Sequence, residues 1–221
     1  MPTVSKPKKL KDRILTVLFP QRCIFCRAVI HADSDYCDKC AKKLPETYYV
    51  KHAVGGARCC SPFLYKDGYA AAVKRMKYGG KKNYARPLAL FAAGAAAREY
   101  NLSSFDFVTC VPMHKSSLKK RHFNQAEELA KDFCAFTGLE YFDTLEKYKQ
   151  NKPQHSMHRR ERASNVKGVF RVLDKQAVRG KRILLVDDII TTGNTLGECA
   201  RLLKKAGCAE VSCVTVCSTM I

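Results

Sequence analysis

Residues 183–195 read ILLVDDIITTGNT, and this stretch decides the fold. Ile183, Leu184, Leu185 and Val186 form an unbroken apolar run rich in branched side chains, the pattern of a strand buried on both faces in a parallel sheet. Two carboxylates, Asp187 and Asp188, follow where that strand is expected to end. Thr191, Thr192, Gly193, Asn194 and Thr195 come next. A helical repeat of Leu196, Ala200, Leu202, Leu203 and Ala206 then runs to Gly207. Strand, acidic pair, hydroxyl-bearing turn and helix start together form a cradle for a sugar phosphate. Carboxylates accept hydrogen bonds from a vicinal diol. Hydroxyls and first-turn N–H groups bind a phosphate dianion, and glycine lets the backbone come close. In open α/β sheets ligands sit at the carboxyl ends of strands, where these residues fall.

The stretch resembles the phosphoribosyl-pyrophosphate (PRPP) motif of type I phosphoribosyltransferases, in which a four-residue apolar strand precedes an acidic pair and a TTGxT-like loop. The resemblance implies that Asp187 and Asp188 face the ribose hydroxyls. It also implies that Thr191, Thr192, Gly193, Asn194 and Thr195 wrap the 5′-phosphate.

At 221 residues the chain suits one medium domain with a small appendage, and 46% apolar residues are enough for a packed core. Its charge is unusual: 40 Lys and Arg against 20 Asp and Glu leave a net +20. Such an excess favours polyanionic partners, namely nucleic acid, phosphorylated metabolites or an acidic membrane face; the plain alternative is a solvated basic surface. No apolar stretch approaches the length of a membrane span. Residues 1–20 read as an amphipathic helix ended by Pro20, since charges sit against the apolar cluster and no small-residue cleavage site follows.

Of twelve cysteines, four form a C-x2-C-x10-C-x2-C array: Cys23, Cys26, Cys37 and Cys40. Each C-x2-C pair presents two thiolates to one tetrahedral Zn²⁺, so two pairs close a structural site. Residues 27–36 between the pairs are expected to form a short hairpin. With few apolar residues nearby, the metal would supply much of this module's folding free energy. Cys59 and Cys60 are adjacent, cannot chelate one ion as such a pair does, and read as buried thiols.

Elsewhere, helices are expected over 69–78 and 88–100, a strand over 107–111 and a helix from Asn124 or Gln125 to Gly138. Strand signals recur at 62–65, 141–148, 168–173 and 211–216. Residues 113–122 carry Lys115, Lys119, Lys120 and Arg121 and read either as a basic loop that could grip a pyrophosphate or as a plain solvated loop. Residues 147–171 carry eight basic residues and one acid, Glu161, and read as a lid, a binding loop or a disordered segment.

Several motifs in order make the whole chain resemble the competence protein F (ComF) family. They are the paired cysteine array, Lys77-Tyr78-Gly79, Val111-Pro112, Arg121-x-Phe123-Asn124-Gln125-Ala126, Gln154, Arg159, Arg162-x-x-Asn165-Val166-x-Gly168-x-Phe170, and the central stretch. One departure is His122, which stands where the family usually has glycine. The resemblance implies an α/β phosphoribosyltransferase-like parallel-sheet domain with a small N-terminal zinc ribbon built on the four paired cysteines. Its divisions would be a helix (1–20), the ribbon (21–60), a hood or connector (61–104) and the α/β domain (105–221). It implies structural Zn²⁺, and Mg²⁺ arriving with PRPP. Pro112, Lys115, Arg121, Asn124, Gln125, Gln154, Arg159 and Arg162 would line the pyrophosphate or lie on a flexible loop. It also implies a cytoplasmic protein of DNA uptake that handles single-stranded DNA, with a helicase or other competence-machinery partner.

Three functions stay open at this point. One is an enzyme transferring or hydrolysing the phosphoribosyl group, for which no general base is evident. Another is a non-catalytic module holding single-stranded DNA through basic clusters interleaved with Tyr78, Tyr84 and Phe123. The third is an adaptor that docks through its ribbon.

Overall fold

The computed structural model describes residues 20–80, 82–150 and 166–219. The expected N-terminal helix, and Gln154, Arg159 and Arg162 with most of the basic loop, lie outside them. The chain divides into two compact units that meet in sequence at Leu44 and Pro45.

In the first unit an antiparallel bridge joins Arg22 to Val29, and the N–H of Cys23 donates to the carbonyl of Ala28 (2.9 Å). Arg27 closes this turn at φ 71°. The hairpin contact therefore brackets the first cysteine pair rather than forming within 27–36. The second pair spans a single helical turn, α1 (Asp38–Ala41), with Cys37 at its N-cap.

The second unit contains β1 (Tyr49–His52), β2 (Arg58–Ser61), β3 (Phe63–Leu64), α2 (Asp67–Tyr78), α3 (Ala85–Glu99), β4 (Phe107–Cys110), α4 (Lys115–Arg121) and α5 (Gln125–Thr137). These are followed by β5 (Leu145–Lys147), β6 (Phe170–Val172), α6 (Lys175–Val178), β7 (Arg182–Ile190), α7 (Asn194–Lys205) and β8 (Glu210–Ser218). The main sheet has the order β1-β2-β8-β7-β4, with β3 also pairing β8; all pairings are parallel except β1 with β2. β5 and β6 form a separate antiparallel pair.

The apolar run behaves as expected: Ile183, Leu184 and Leu185 are fully buried and Val186 nearly so. Ladder bonds to β4 on one side and β8 on the other leave these residues no exposed edge. α3 and α5 pack on each other and on the sheet, while α7, the crossover between β7 and β8, packs on both and on β6. Asn124 and Gly138 cap α5 where the sequence reading sets its ends.

Three features differ from expectation. Residues 45–60 belong to the large unit, because β1 and β2 extend the main sheet; β2 pairs β8 with Cys59 opposite Cys213. Residues 61–104 supply β3 and two helices to the same unit rather than a separate connector. Residues 115–121 are helical, with His114 as N-cap accepting from the N–H of Ser116, so the basic segment is not an open loop. Cys59 and Cys60 are buried thiols, as read.

Candidate functional site

The site grows out of a mismatch in strand length. β4 pairs β7 only as far as Cys110 opposite Val186, and the N–H of Val111 then donates to the carbonyl of Val186 (2.9 Å). Pro112 has no N–H to extend that ladder, and the chain turns into α4. β7 continues beside β8, with Asp187 opposite Thr215 and Ile190 opposite Ser218. Asp187 and Asp188 therefore lie inside β7 rather than after it, at the point where the strand loses one neighbour. Pairing with β8 holds the backbone extended through the acids.

Alternation along a strand sends the two carboxylates to opposite sides. Asp188 is buried and its carboxylate lies 2.8 Å from the Lys77 ammonium at the end of α2. Lys77 is itself largely enclosed; burial favours its neutral form, but Asp188 and Asp187 outweigh this and raise its pKa. Asp187 is half-buried. Burial, and then repulsion from Asp188, push its carboxyl up to about 7 against the attraction of Lys77, the N–H of Asp188 and Lys147. Lys147, at the end of β5, is shifted down by burial, which the attraction of Asp187 only partly offsets. Each acid of the doublet thus has a lysine in its electrostatic surroundings, Lys77 paired with Asp188 and Lys147 acting on Asp187.

The turn after β7 is pinned from behind. Gly193 is the N-cap of α7 at φ 75°, a left-handed conformation suited to glycine. A Cβ on Gly193 would stand 2.8 Å from the Cα of Ala53, and one on Gly197 would stand 2.1 Å from the carbonyl oxygen of Val54. Both glycines are required by the tip of the β1–β2 hairpin, a role separate from the ligand contact expected of Gly193. The N–H of Val54 donates to the Gly193 carbonyl (3.3 Å), and the Lys51 ammonium donates to the Thr191 carbonyl. Thr191 is exposed, while Thr192, Asn194 and Thr195 are half-buried. First-turn N–H groups of a helix have no partner within it, and those of α7 follow this turn.

The segment after β4 is organised by amides. Asn124 is buried; its side chain accepts from the N–H of Ala126 and donates to the carbonyl of Val111 (both 3.2 Å), tying α5 to the end of β4. Gln125 is fully buried and accepts from the Arg121 guanidinium (3.2 Å), which also lies 4.9 Å above the Tyr78 ring. Asn124 and Gln125 thus position Pro112 and Arg121. Lys115 is exposed on the first turn of α4. His122 adopts φ 67°, so the departure from the family's glycine falls at a left-handed position. Tyr84 is buried beneath Arg75 and is not available to stack on a ligand, whereas Phe123 is half-exposed.

In the first unit the sulfurs of Cys23, Cys26, Cys37 and Cys40 all lie within 4.8 Å of one another, with Cys26 and Cys37 3.6 Å apart. Tetrahedral Zn²⁺ with bonds of about 2.3 Å sets its sulfurs about 3.8 Å apart, so the set fits zinc. Burial favours the neutral Cys23 thiol, but N–H groups of Cys26, Cys37 and Phe25 aimed at it bring it down to about 6. Cys40 is pushed up by burial and by the three neighbouring sulfurs. Among the described residues this is the one such cluster of metal-ligating side chains.

A family model described as phosphoribosyl transferase domain matches residues 82–221. The chain belongs to the phosphoribosyl transferase domain family. A second model, double zinc ribbon domain, matches residues 14–70; in this phosphoribosyl transferase family member the latter part of that span forms β1, β2, β3 and the start of α2. The chain is 27% identical over 217 residues to competence protein F of Haemophilus influenzae, covering 87% of this chain and 95% of the relative. It is 26% identical over 212 residues to DNA utilization protein YhgH of Escherichia coli K12, covering 90% of each. It is 30% identical over 149 residues to competence protein ComFC of Streptococcus pneumoniae, covering 67% and 63%. The ComF resemblance read from the motifs is thereby borne out. Solved structures it is similar to include the allosteric regulatory enzyme of purine biosynthesis (TM-score 0.42, 20% identity, 64% of this chain and 30% of that one). Another is a purine phosphoribosyltransferase from Pyrococcus horikoshii (TM-score 0.38, 15% identity, 61% and 76%).

Within this family member, sequence reading missed Lys51, counted Lys147 only within the basic stretch 147–171, and met Lys77 only as part of a motif and a basic cluster. The four-residue step between Gly193 and Gly197 was a readable signal for close packing on one helix face. Among the described residues no helix is long and apolar enough to cross a membrane.

Proposed function

We propose that the second unit binds PRPP or a closely related ribose 5-phosphate ester at the end of β7. The observation that carries this reading is the succession of Asp187, Asp188 and the left-handed Gly193 turn where β7 outruns β4. Asp187 and Asp188 accept hydrogen bonds from the ribose hydroxyls. The 5′-phosphate rests on the turn of Thr191, Thr192, Gly193, Asn194 and Thr195 and on the first N–H groups of α7. Pro112, Lys115 and Arg121 face the pyrophosphate, with Asn124 and Gln125 holding that segment in place. The family resemblance adds Gln154, Arg159 and Arg162 to this set.

Displacing pyrophosphate from C1 passes through an oxocarbenium-like state, so the protein's work is positioning and charge balance. Lys77 offsets the doublet on one side, and Lys147 lies close enough to Asp187 to do so on the other. Asp188 is already paired with Lys77, so the doublet's charge is partly balanced before any ligand arrives. Mg²⁺ fits as an ion carried in on the pyrophosphate, whose negative charge it partly neutralises. Calorimetric titration of zinc-replete protein with Mg-PRPP, followed by an assay for released pyrophosphate, tests binding and turnover separately. Saturable binding is expected, and its absence removes the assignment. Binding without release would make the domain a sensor and not a transferase.

A second reading, that the protein also holds single-stranded DNA in a competence or DNA-utilization role, is favoured by a basic stretch. No acidic residue occurs between Val111 and Gln125, and the whole chain carries +20. Its binding would weaken steeply with salt. No oligonucleotide binding near physiological salt would end this reading. Ribbon docking to a helicase or other competence component belongs with it.

A further inference from the structure

Tyr78 is the most exposed large apolar side chain among the described residues, at 73%. A single exposed ring is ordinary by itself; what sets Tyr78 apart is the cation fixed over it. It is also held in place. The Arg121 guanidinium lies 4.9 Å from the ring centre, and Arg121 is fixed in turn by the buried amide of Gln125. The preceding residue, Lys77, reaches 2.8 Å to Asp188, which ties this end of α2 to the acidic doublet. Around Arg121 the chain offers Lys119, Lys120 and the exposed edge of Leu118, with no acid on α4. A flat π-face backed by a guanidinium and bordered by ammonium groups complements one chemistry best: an unpaired nucleobase with its backbone phosphates.

We infer that the Tyr78–Arg121 pair is a base-stacking subsite for single-stranded DNA that borders the sugar-phosphate pocket and shares Arg121 with it. The inference rests on the DNA-holding reading above. A strand lies with one base on Tyr78 and its phosphates along Lys119 and Lys120. Sequence preference is weak, because every base presents a π-face.

The test is fluorescence anisotropy of a labelled oligothymidylate across a salt series, on full-length zinc-replete protein. Replacing Tyr78 with alanine (Tyr78→Ala) is expected to weaken binding about 5- to 100-fold and to leave the salt slope unchanged, since stacking releases no counterions. Tyr78→Phe keeps the affinity within about twofold. Lys119→Ala with Lys120→Ala lowers the slope by about 0.7 per lysine. Thermal midpoints of all variants show that the fold is retained. If wild-type protein binds but Tyr78→Ala binds equally well, the subsite is overturned while the DNA-holding reading stands. If wild-type protein does not bind, both fall. Binding of free adenosine with no affinity for the oligonucleotide would overturn the strand in favour of a small acceptor base.

Discussion

In residues 20–44 three side chains are buried, Cys23, Ile24 and Phe25, and the rest are exposed or half-exposed. In β7 alone four consecutive apolar side chains are sealed between two neighbouring strands. Three buried side chains cannot offset the conformational entropy of ordering that much chain. The four sulfurs within 4.8 Å supply what burial does not, through metal binding. The second unit needs no such aid, so its ends can be given over to charge. The contrast teaches where each unit is vulnerable: one to loss of an ion, the other to loss of packing.

The largest effect expected is on the ribbon. Cys37→Ser, or a strong chelator, should remove zinc and the order of residues 20–44, a site worth about 10–16 kcal/mol in comparable modules. Limited proteolysis would show cleavage confined to that segment. Simultaneous loss of the sheet's near-ultraviolet signal would instead show one cooperative unit. In the opposite direction, Leu184→Ala should cost the sheet about 2–5 kcal/mol in denaturant unfolding, with zinc content by atomic absorption unchanged.

Smaller effects separate packing from charge within the second unit. Gly197→Ala drives a methyl into the Val54 carbonyl and should destabilise by about 1–3 kcal/mol. A neutral result would mean the hairpin tip yields freely. For Asp187 the sign follows from its raised pKa. Any stability from proton uptake is complete below the unfolded value near 4 and is lost as pH rises through about 7. Asp187→Asn should therefore raise the thermal midpoint at pH 8 by a few degrees, about 1–3 kcal/mol, and change little at pH 4. A midpoint difference that is flat with pH would show that Asp187 is not desolvated. Smallest is His122→Gly, expected to stabilise by about 1 kcal/mol by relieving a left-handed histidine.

Much of the second unit was legible because its signals are local. The run Ile183 to Val186 reads as a buried strand from four letters, and Asn124 and Gly138 cap α5 through their own side-chain and backbone chemistry. The paired cysteines were legible because chelation fixes their spacing. β1 and β2 were not. Tyr49–His52 alternates only half-buried and exposed residues, and Arg58–Ser61 is too short and polar to read as an interior strand. Its partner, β8, lies some 150 residues away in sequence, and no local pattern encodes such a pairing. The same gap hid Lys51 and the hairpin's claim on Gly193. Lys77 and Lys147 matter because helix and strand ends bring them to the doublet, which spacing along the chain does not show.

The most direct test of the central claim is calorimetric titration of Asp187→Asn/Asp188→Asn with Mg-PRPP, beside wild type, at matched zinc content. The prediction is saturable heat from wild type and none from the double variant, with both giving the same circular dichroism. Equal affinity in the two proteins would contradict the assignment of the ribose to the end of β7.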